Sequence, residues 1–245
     1  MEGTQEPMRG FDMKGDWDSF ARRDAPWHII MAEGRDEATF RASGQRDAAM
    51  IYEAVAEALP SRQRVLEIGC GIGRLLEPMS EHFRELYGVD ISGEMVRQGR
   101  ARLAHLPNVR LEEVDGSGAL PFADDTFDFC YSYITFHHIP YKNIVLRYIV
   151  EAHRVLAPGG IFHFHLFGRR EGAWQNVRET FTKKNTWRGC KFTHRELLAA
   201  TRQAGFEIIE SRYVEPKLDR RQHFWEKAVP HVIWTTACKG SAGAR

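Results

Sequence analysis

Cysteine is sparse in this chain of 245 residues, and its four copies, Cys70, Cys130, Cys190 and Cys238, lie far apart with no CxxC pair. That excludes the density of a disulfide framework and suits a reducing compartment. Charge of one sign is also missing: 34 Lys and Arg face 33 Asp and Glu, so nothing pulls the whole molecule toward nucleic acid or a membrane surface. No apolar run approaches membrane-spanning length, and the opening MEGTQEPMRGFDMKGDW has no apolar core of the signal-peptide kind. Internal repeats and low-complexity stretches are absent too. These absences lead to the expectation of a soluble, cytoplasmic protein with no membrane or DNA partner.

What is present is ordinary globular material, 43% apolar and 27% charged, enough for one α/β domain with some elaboration. Residues 1–59 read as an N-terminal arm and lid helices. WDSFARRDAPWHIIM is aromatic and helix-compatible but interrupted at Pro26. In the next helix Met50, Ile51, Val55 and Leu59 form an apolar stripe that ends at Pro60. Residues 60–240 then alternate: the strand RVLEI, the helix GRLLEPMSEHF, the strand ELYGVD, the helix SGEMVRQGRARLAHL, the strand NVRLEEVD, the strand TFDFCYSYIT, and the helix YKNIVLRYIVEAHRVL stopped by APGG. IFHFHLF, THRELLAATRQAG, FEIIESRYV and HVIWTTACK complete the series. Alternation of this kind implies βαβ crossovers on a parallel sheet, with the last two strands free to pair antiparallel.

Ligands on such a sheet collect at the carboxyl ends of the strands. The first strand ends at Ile68, so Gly69, Gly71 and Gly73 form the turn, where glycine permits positive φ and close approach of a ligand. A dinucleotide fingerprint requires glycine at position 74, which is Arg74, and Glu67 places negative charge where a diphosphate would settle. A cationic ligand suits the same carboxylate. Asp90 ends the second strand nineteen residues after Gly71, the spacing of an acid that accepts the hydroxyls of an unphosphorylated ribose, while Ser92 is available to cap the following helix. Asp115 closes the third strand, either as an acceptor for an exocyclic amine or as a turn-forming Asp-Gly. Three acids at three successive strand ends suit a positively charged nucleoside without phosphate.

VLEIGCGIGRLL, YGVDIS, DGSGALPFADDTFDFCYSYITFHHI and EAHRVLAPGGIFHF, in that order and spacing, resemble a class I S-adenosylmethionine-dependent methyltransferase. The resemblance implies a three-layer, Rossmann-like doubly wound α/β fold of seven strands in the order 3-2-1-4-5-7-6, strand 7 antiparallel. It also implies S-adenosyl-L-methionine as cofactor. Glu67, Gly69 and Gly71 would hold its methionine end, and Asp90 the ribose, with Ile91 beside the adenine. Asp115 and Gly116 would hold the adenine, and the backbone of Tyr133 the methionine amine.

Transfer from a sulfonium needs mainly positioning and a dry pocket; a base matters only when the acceptor must lose a proton. His138 and His137, directly after the fourth strand, are the candidates. His163 and His165 share one face of the fifth strand and read as core residues, with no third ligand to suggest a metal; the alternative for His165, nearer the strand's carboxyl end, is contact with the substrate. The segment from Arg169 to Lys191 carries seven Arg and Lys against Glu171 and Glu179, either a solvated surface or a site for an anionic acceptor. Arg41 and Arg46 are candidates for the cofactor carboxylate. The reading is methyl transfer to an O, N, S or C nucleophile of a small-molecule acceptor, the alternative being a protein, peptide or RNA acceptor. The Asn/Asp-Pro-Pro-Tyr/Phe signature of DNA amino-methyltransferases is replaced by YSYITFHHIP.

Overall fold

The computed structural model describes residues 12–30, 36–171, 189–214 and 231–240. Seven strands run β1 (Arg64–Ile68), β2 (Glu85–Asp90), β3 (Val109–Glu113), β4 (Phe127–Ser132), β5 (Leu156–Gly168), β6 (Phe206–Val214) and β7 (His231–Lys239). They form one sheet of order β3-β2-β1-β4-β5-β7-β6, with β7 antiparallel to both neighbours and every other pairing parallel. This is the order the sequence resemblance implies. The helices are α1 (Met13–Ile30), α2 (Glu37–Glu53), α3 (Leu76–Met79), α4 (Gly93–Arg102), α5 (Lys142–Val155) and α6 (His194–Gln203).

Side chains alternate across the sheet and build one core on each face. Leu66, Ile68, Cys130, Phe162 and Phe164 pack with Val145, Ile149 and Val155 of α5 and Leu197 of α6. Val65, Leu86, Phe129, Tyr131 and Ile161 pack on the other face with Ile51 of α2, Leu76 and Met79 of α3 and Val96 of α4. Each fully buried phenylalanine contributes on the order of 1.5–3 kcal/mol relative to leaving it in water.

Three local expectations need correction. The APGG stretch does not cap α5. Leu156, fully buried, is already extended and pairs with Phe127, and the ladder resumes at Phe129 with Ile161. The glycines therefore lie in a bulge of β5, where Gly159 takes φ +82. The helix expected at GRLLEPMSEHF shrinks to Leu76–Met79, with Gly73 at φ +80 in the turn before it. Met50, expected on the buried stripe with Ile51, is 43% exposed. It sits one residue from Ile51, about 100° around the helix.

β1 pairs with β2 on one side and β4 on the other, so the sheet's connections diverge between β1 and β4. That divergence opens a crevice outside the carboxyl ends of these strands. The N-terminal α1 covers it. Its turns are interrupted at Asp24, whose φ of −170 and ψ of 86 are not helical, two residues before Pro26.

Candidate active site

The cavity at this crevice has a floor of Glu67, Gly69, Gly71, Asp90 and Ile91, a back wall of Arg74, Tyr133 and Thr135, and a roof of Met13, Trp17, His28 and Ile29 from α1. His138 and Tyr148 complete the wall on the β4 side.

The floor starts from its glycines. Gly69 and Gly71 take φ +80 and +53, the left-handed region in which side chains are strained. A Cβ on Gly69 would stand 2.1 Å from the Thr135 side chain, and one on Gly71 would meet Ile29 of the roof at 3.1 Å. The turn therefore has to be bare to sit between β4 and α1.

Asp90 is fixed by two backbone donors. Gly71 N–H donates to one carboxylate oxygen at 2.8 Å and Ser92 N–H to the other at 2.9 Å. Ser92 itself caps α4, its hydroxyl accepting from Met95 N–H at 3.1 Å. Each Asp90 oxygen keeps a second lone pair for a hydroxyl on the cavity side. Burial raises its pKa, and the Ser92 and Gly71 donors pull it down. The same hydrogen bonds have a second consequence: the turn N–H that a diphosphate would use is already occupied by a carboxylate.

Glu67 is 2% exposed and accepts a hydrogen bond from the Tyr131 hydroxyl at 3.0 Å. Burial pushes its carboxyl up to about 8, against the pull of Tyr131 and of the Arg74 guanidinium. A cation placed beside Glu67 would reverse that shift and recover the ionised form. Two half- to fully buried carboxylates over a glycine cradle thus fit a nucleoside sulfonium by the chemistry of the donor set.

The remaining expected residues are divided. Ile91 and Tyr133 line the cavity. Tyr133 stacks on His165, with ring centroids 4.8 Å apart, and its hydroxyl is pushed up to about 12 by burial and neighbouring Asp47. Asp115 and Gly116 are not among the cavity's described lining. The exposed Asp115 accepts from Ser117 N–H at 2.8 Å, the turn arrangement of an Asp-Gly corner, and Gly116 takes φ +74 beside Ile91.

The histidines part company as well. His138 faces the cavity, its ring edge-on to Trp17 at 5.1 Å. His137 turns toward β5, stacked on Phe167 at 4.0 Å and beside His165 at 4.3 Å, where burial lowers its pKa to about 3. Among the described residues, it does not line the cavity.

His163 and His165 are buried, as expected of core residues. The His163 ring pairs with the Thr236 hydroxyl at 2.8 Å, and His165 Nε2 accepts from Ile134 N–H at 2.6 Å. That bond holds Ile134 at φ +58, a strained position for a β-branched residue, at the bend that carries Tyr133 and Thr135. Arg41 and Arg46 lie away from the cavity: Arg41 pairs with Glu37 and Glu77, and Arg46 with Asp47. No group of three His, Cys, Asp or Glu among the described residues is arranged to hold a metal. The basic segment falls mostly within 172–188, outside the described residues.

Sequence reasoning missed three participants. Arg74 entered only as the residue that breaks a dinucleotide motif, yet it forms part of the back wall and pairs with Asp47 at 2.7 Å. Asp18 of the roof accepts from the Ser92 hydroxyl at 2.6 Å and from Glu94 N–H at 3.1 Å, a docking contact 74 residues long. His165 acts as the brace for Ile134. None of these has a local pattern; the paired charges of Arg74 and Asp47 are 27 residues apart.

Comparison with known proteins agrees with this geometry. A family model described as methyltransferase domain matches residues 66–164. Malonyl-acyl-carrier-protein O-methyltransferase of Geobacter sulfurreducens is 31% identical over 157 residues, 60% of this chain and 57% of that protein. Sterol 4-C-methyltransferase strm-1 of Caenorhabditis elegans is 27% identical over 191 residues, 74% of this chain and 56% of that one. The chain thus spans a little over half the length of these curated relatives. The solved structure of the (4+2)-cyclase SpnF superposes with a TM-score of 0.61 at 23% identity, covering 80% of this chain and 82% of that one. A cyclase on the same fold is a reminder that the sheet alone does not specify the reaction.

Proposed function

We propose that this chain, whose residues 66–164 match a methyltransferase domain model, is an S-adenosyl-L-methionine-dependent methyltransferase acting on a small-molecule acceptor. The observation that carries the reading is the floor of the cavity. Asp90 occupies the N–H of the glycine turn, and Glu67 lies buried beside it. A phosphorylated dinucleotide would meet two carboxylates; an adenosine sulfonium meets a hydroxyl acceptor and a counter-charge.

When bound, the cofactor would supply an electrophilic methyl group on a positively charged sulfur, the sulfur leaving as a neutral thioether as the acceptor bonds to the methyl carbon. The chain's own part is positional. Asp90 fixes the ribose, and the turn at Gly69 and Gly71 admits the methionine arm against the backbone. Met13, Trp17 and Ile29 close the cavity from above and exclude water. His138, facing the same cavity beside Trp17, receives the acceptor's proton where the nucleophile is a phenol, alcohol or protonated amine. His137, turned into the core, has no such role. The adenine rests on Ile91, and Asp115 and Gly116 reach it from the edge of the crevice.

The small-molecule assignment is supported by the roof. Trp17, Phe20 and His28 form an aromatic cover over the cavity, with Trp17 and Phe20 edge to face at 5.6 Å and Phe20 stacked on His28 at 4.6 Å. A covered, mainly apolar chamber accepts a compact molecule more readily than a folded surface. The test is transfer of labelled methyl from S-adenosylmethionine into cell extract separated by size. Label in the low-mass fraction supports the reading. Label confined to protein or RNA would move the acceptor to a macromolecule.

A further inference from the structure

We propose that Arg74 is the residue that binds the α-carboxylate of the cofactor, held for that purpose by Asp47 and Ser43 and faced by the ring of Tyr133; this rests on the S-adenosylmethionine reading above. Arg74 follows the last glycine of the turn and is only 6% exposed. A guanidinium cannot shed its charge, so burying one is costly unless its donors are met.

Its donors are met on one side only. Nη1 donates to the Asp47 carboxylate at 2.7 Å and to the Ser43 hydroxyl at 3.2 Å, both on α2. Both of these hydrogen bonds fall on Nη1, and Arg74 borders the cavity. Arg74 is the only arginine or lysine among the described residues lining it. The guanidinium lies 5.7 Å from the centre of the Tyr133 ring, which restricts its other face. The backbone is fixed as well: Gly44 lets α2 approach so closely that a Cβ there would stand 2.5 Å from the Arg74 carbonyl oxygen.

The arrangement is therefore a cation pinned through Nη1 at the wall of the cavity that also holds Glu67, close enough to act on its carboxylate. An α-amino acid carries both an ammonium and a carboxylate. Glu67 answers the first and Arg74 the second, and a fork of two N–H donors matches a carboxylate in geometry as well as charge. The residues before β1 that looked suited to this task are paired elsewhere, Arg41 with Glu37 at the surface and Arg46 with Asp47. Arg46 pairs with the other oxygen of Asp47 at 3.0 Å, which adds to the anchor behind Arg74.

The test compares two ligands by calorimetry. S-adenosylhomocysteine carries the amino-acid arm; 5′-methylthioadenosine is the same nucleoside thioether without it. Arg74→Met should weaken S-adenosylhomocysteine by about 30-fold, the range of a charge-assisted pair. It should leave 5′-methylthioadenosine within about twofold, which also certifies a folded site. Arg74→Gln keeps a hydrogen-bonding partner for Asp47 and should show the same split if the methionine variant does not fold. A third measurement needs no variant: the wild-type protein should bind the carboxamide of S-adenosylhomocysteine about 10-fold or more weakly than the acid. Equal losses for both nucleosides would make Arg74 a structural residue, and no loss would remove it from the site; either overturns the assignment. If the wild-type protein binds neither nucleoside, the cofactor reading itself fails and this inference with it, a result distinct from the other two.

Discussion

The floor and the roof of the cavity are built on different terms. The floor is made by backbone: the N–H groups of Gly71 and Ser92 hold the Asp90 carboxylate from two sides, at the ends of strands buried on both faces. The roof is made by side chains. α1 meets the body of the protein through a small apolar cluster, Ala21 and Ala25 with Phe40, Ile72 and Met95, and through Asp18 on Ser92 and Glu94, Gln98 donating to the Ala21 carbonyl at 2.9 Å, and a Lys14–Glu113 pair whose partners are 43% and 48% exposed. An exposed pair of that kind contributes about 0–1 kcal/mol. The floor is thus preorganised by backbone within the sheet, whereas the roof depends on side-chain contacts between separate elements.

The largest expected effect comes from breaking the floor. Asp90→Ala leaves two backbone donors without their acceptor and removes the ribose partner. It should weaken S-adenosylhomocysteine by about 100-fold and lower stability by about 2–4 kcal/mol, read by calorimetry and by urea unfolding. Retained affinity in a folded Asp90→Ala protein would place the floor elsewhere.

Acid should act next, through the wall behind the floor. Burial lowers the pKa of His137 to about 3, of His163 to about 4, and of His165 well below its usual value. In the unfolded chain these groups take up protons from about pH 6.5 downward, while the folded protein resists. Their contribution is therefore complete above about 6.5 and is lost as pH falls toward 4 and 3, on the order of 2 kcal/mol or more by pH 4.5. Glu67 carries the opposite sign: its protonated form is favoured in the fold, a contribution present below about 4.5 and lost as pH rises to about 8. His163→Phe isolates the histidine slope, and urea midpoints between pH 7.5 and 4.5 should fall less steeply in it than in the wild type.

A smaller effect is expected of the roof. Asp18→Ala removes the docking contacts but leaves Ser92 capping α4. Global stability should drop by about 1 kcal/mol, with faster proteolysis within residues 12–30 and a change in nucleoside affinity of less than about fivefold. A loss as large as that of Asp90→Ala would erase the distinction between the two regions. Smallest of all, Arg97→Ala removes only the solvent-screened pair with Glu94 and should leave the urea midpoint unchanged.

The same division governs what could be read from the sequence. Glu67, the glycine turn, Asp90 and Ser92 belong to two short segments whose residue types are dictated by local needs: positive φ, a helix cap, an acid at a strand end. Their spacing carries the chemistry. The strand order came with the family resemblance these motifs carry; the alternation of strands and helices alone gave only a parallel sheet whose last two strands could pair antiparallel. The roof was visible only as an aromatic helix broken near Pro26; where it docks depends on Asp18 finding Ser92 across 74 residues. Arg74 and Asp47 form a buried pair that no periodicity announces. Asp115 shows the converse, since an Asp-Gly pair fits a turn and a ligand site equally well, and the structure gives its carboxylate a turn partner. The APGG stretch misled because two glycines after a helix resemble a cap, whereas burial of Leu156 draws the chain straight into the sheet.

The most direct test of the account is a calorimetric titration of the wild-type protein with S-adenosylmethionine and, separately, with NADH. Buried acids set against the glycine turn predict saturable binding of the sulfonium nucleoside and no measurable heat from the diphosphate. Saturable binding of NADH by a protein silent to S-adenosylmethionine would contradict it.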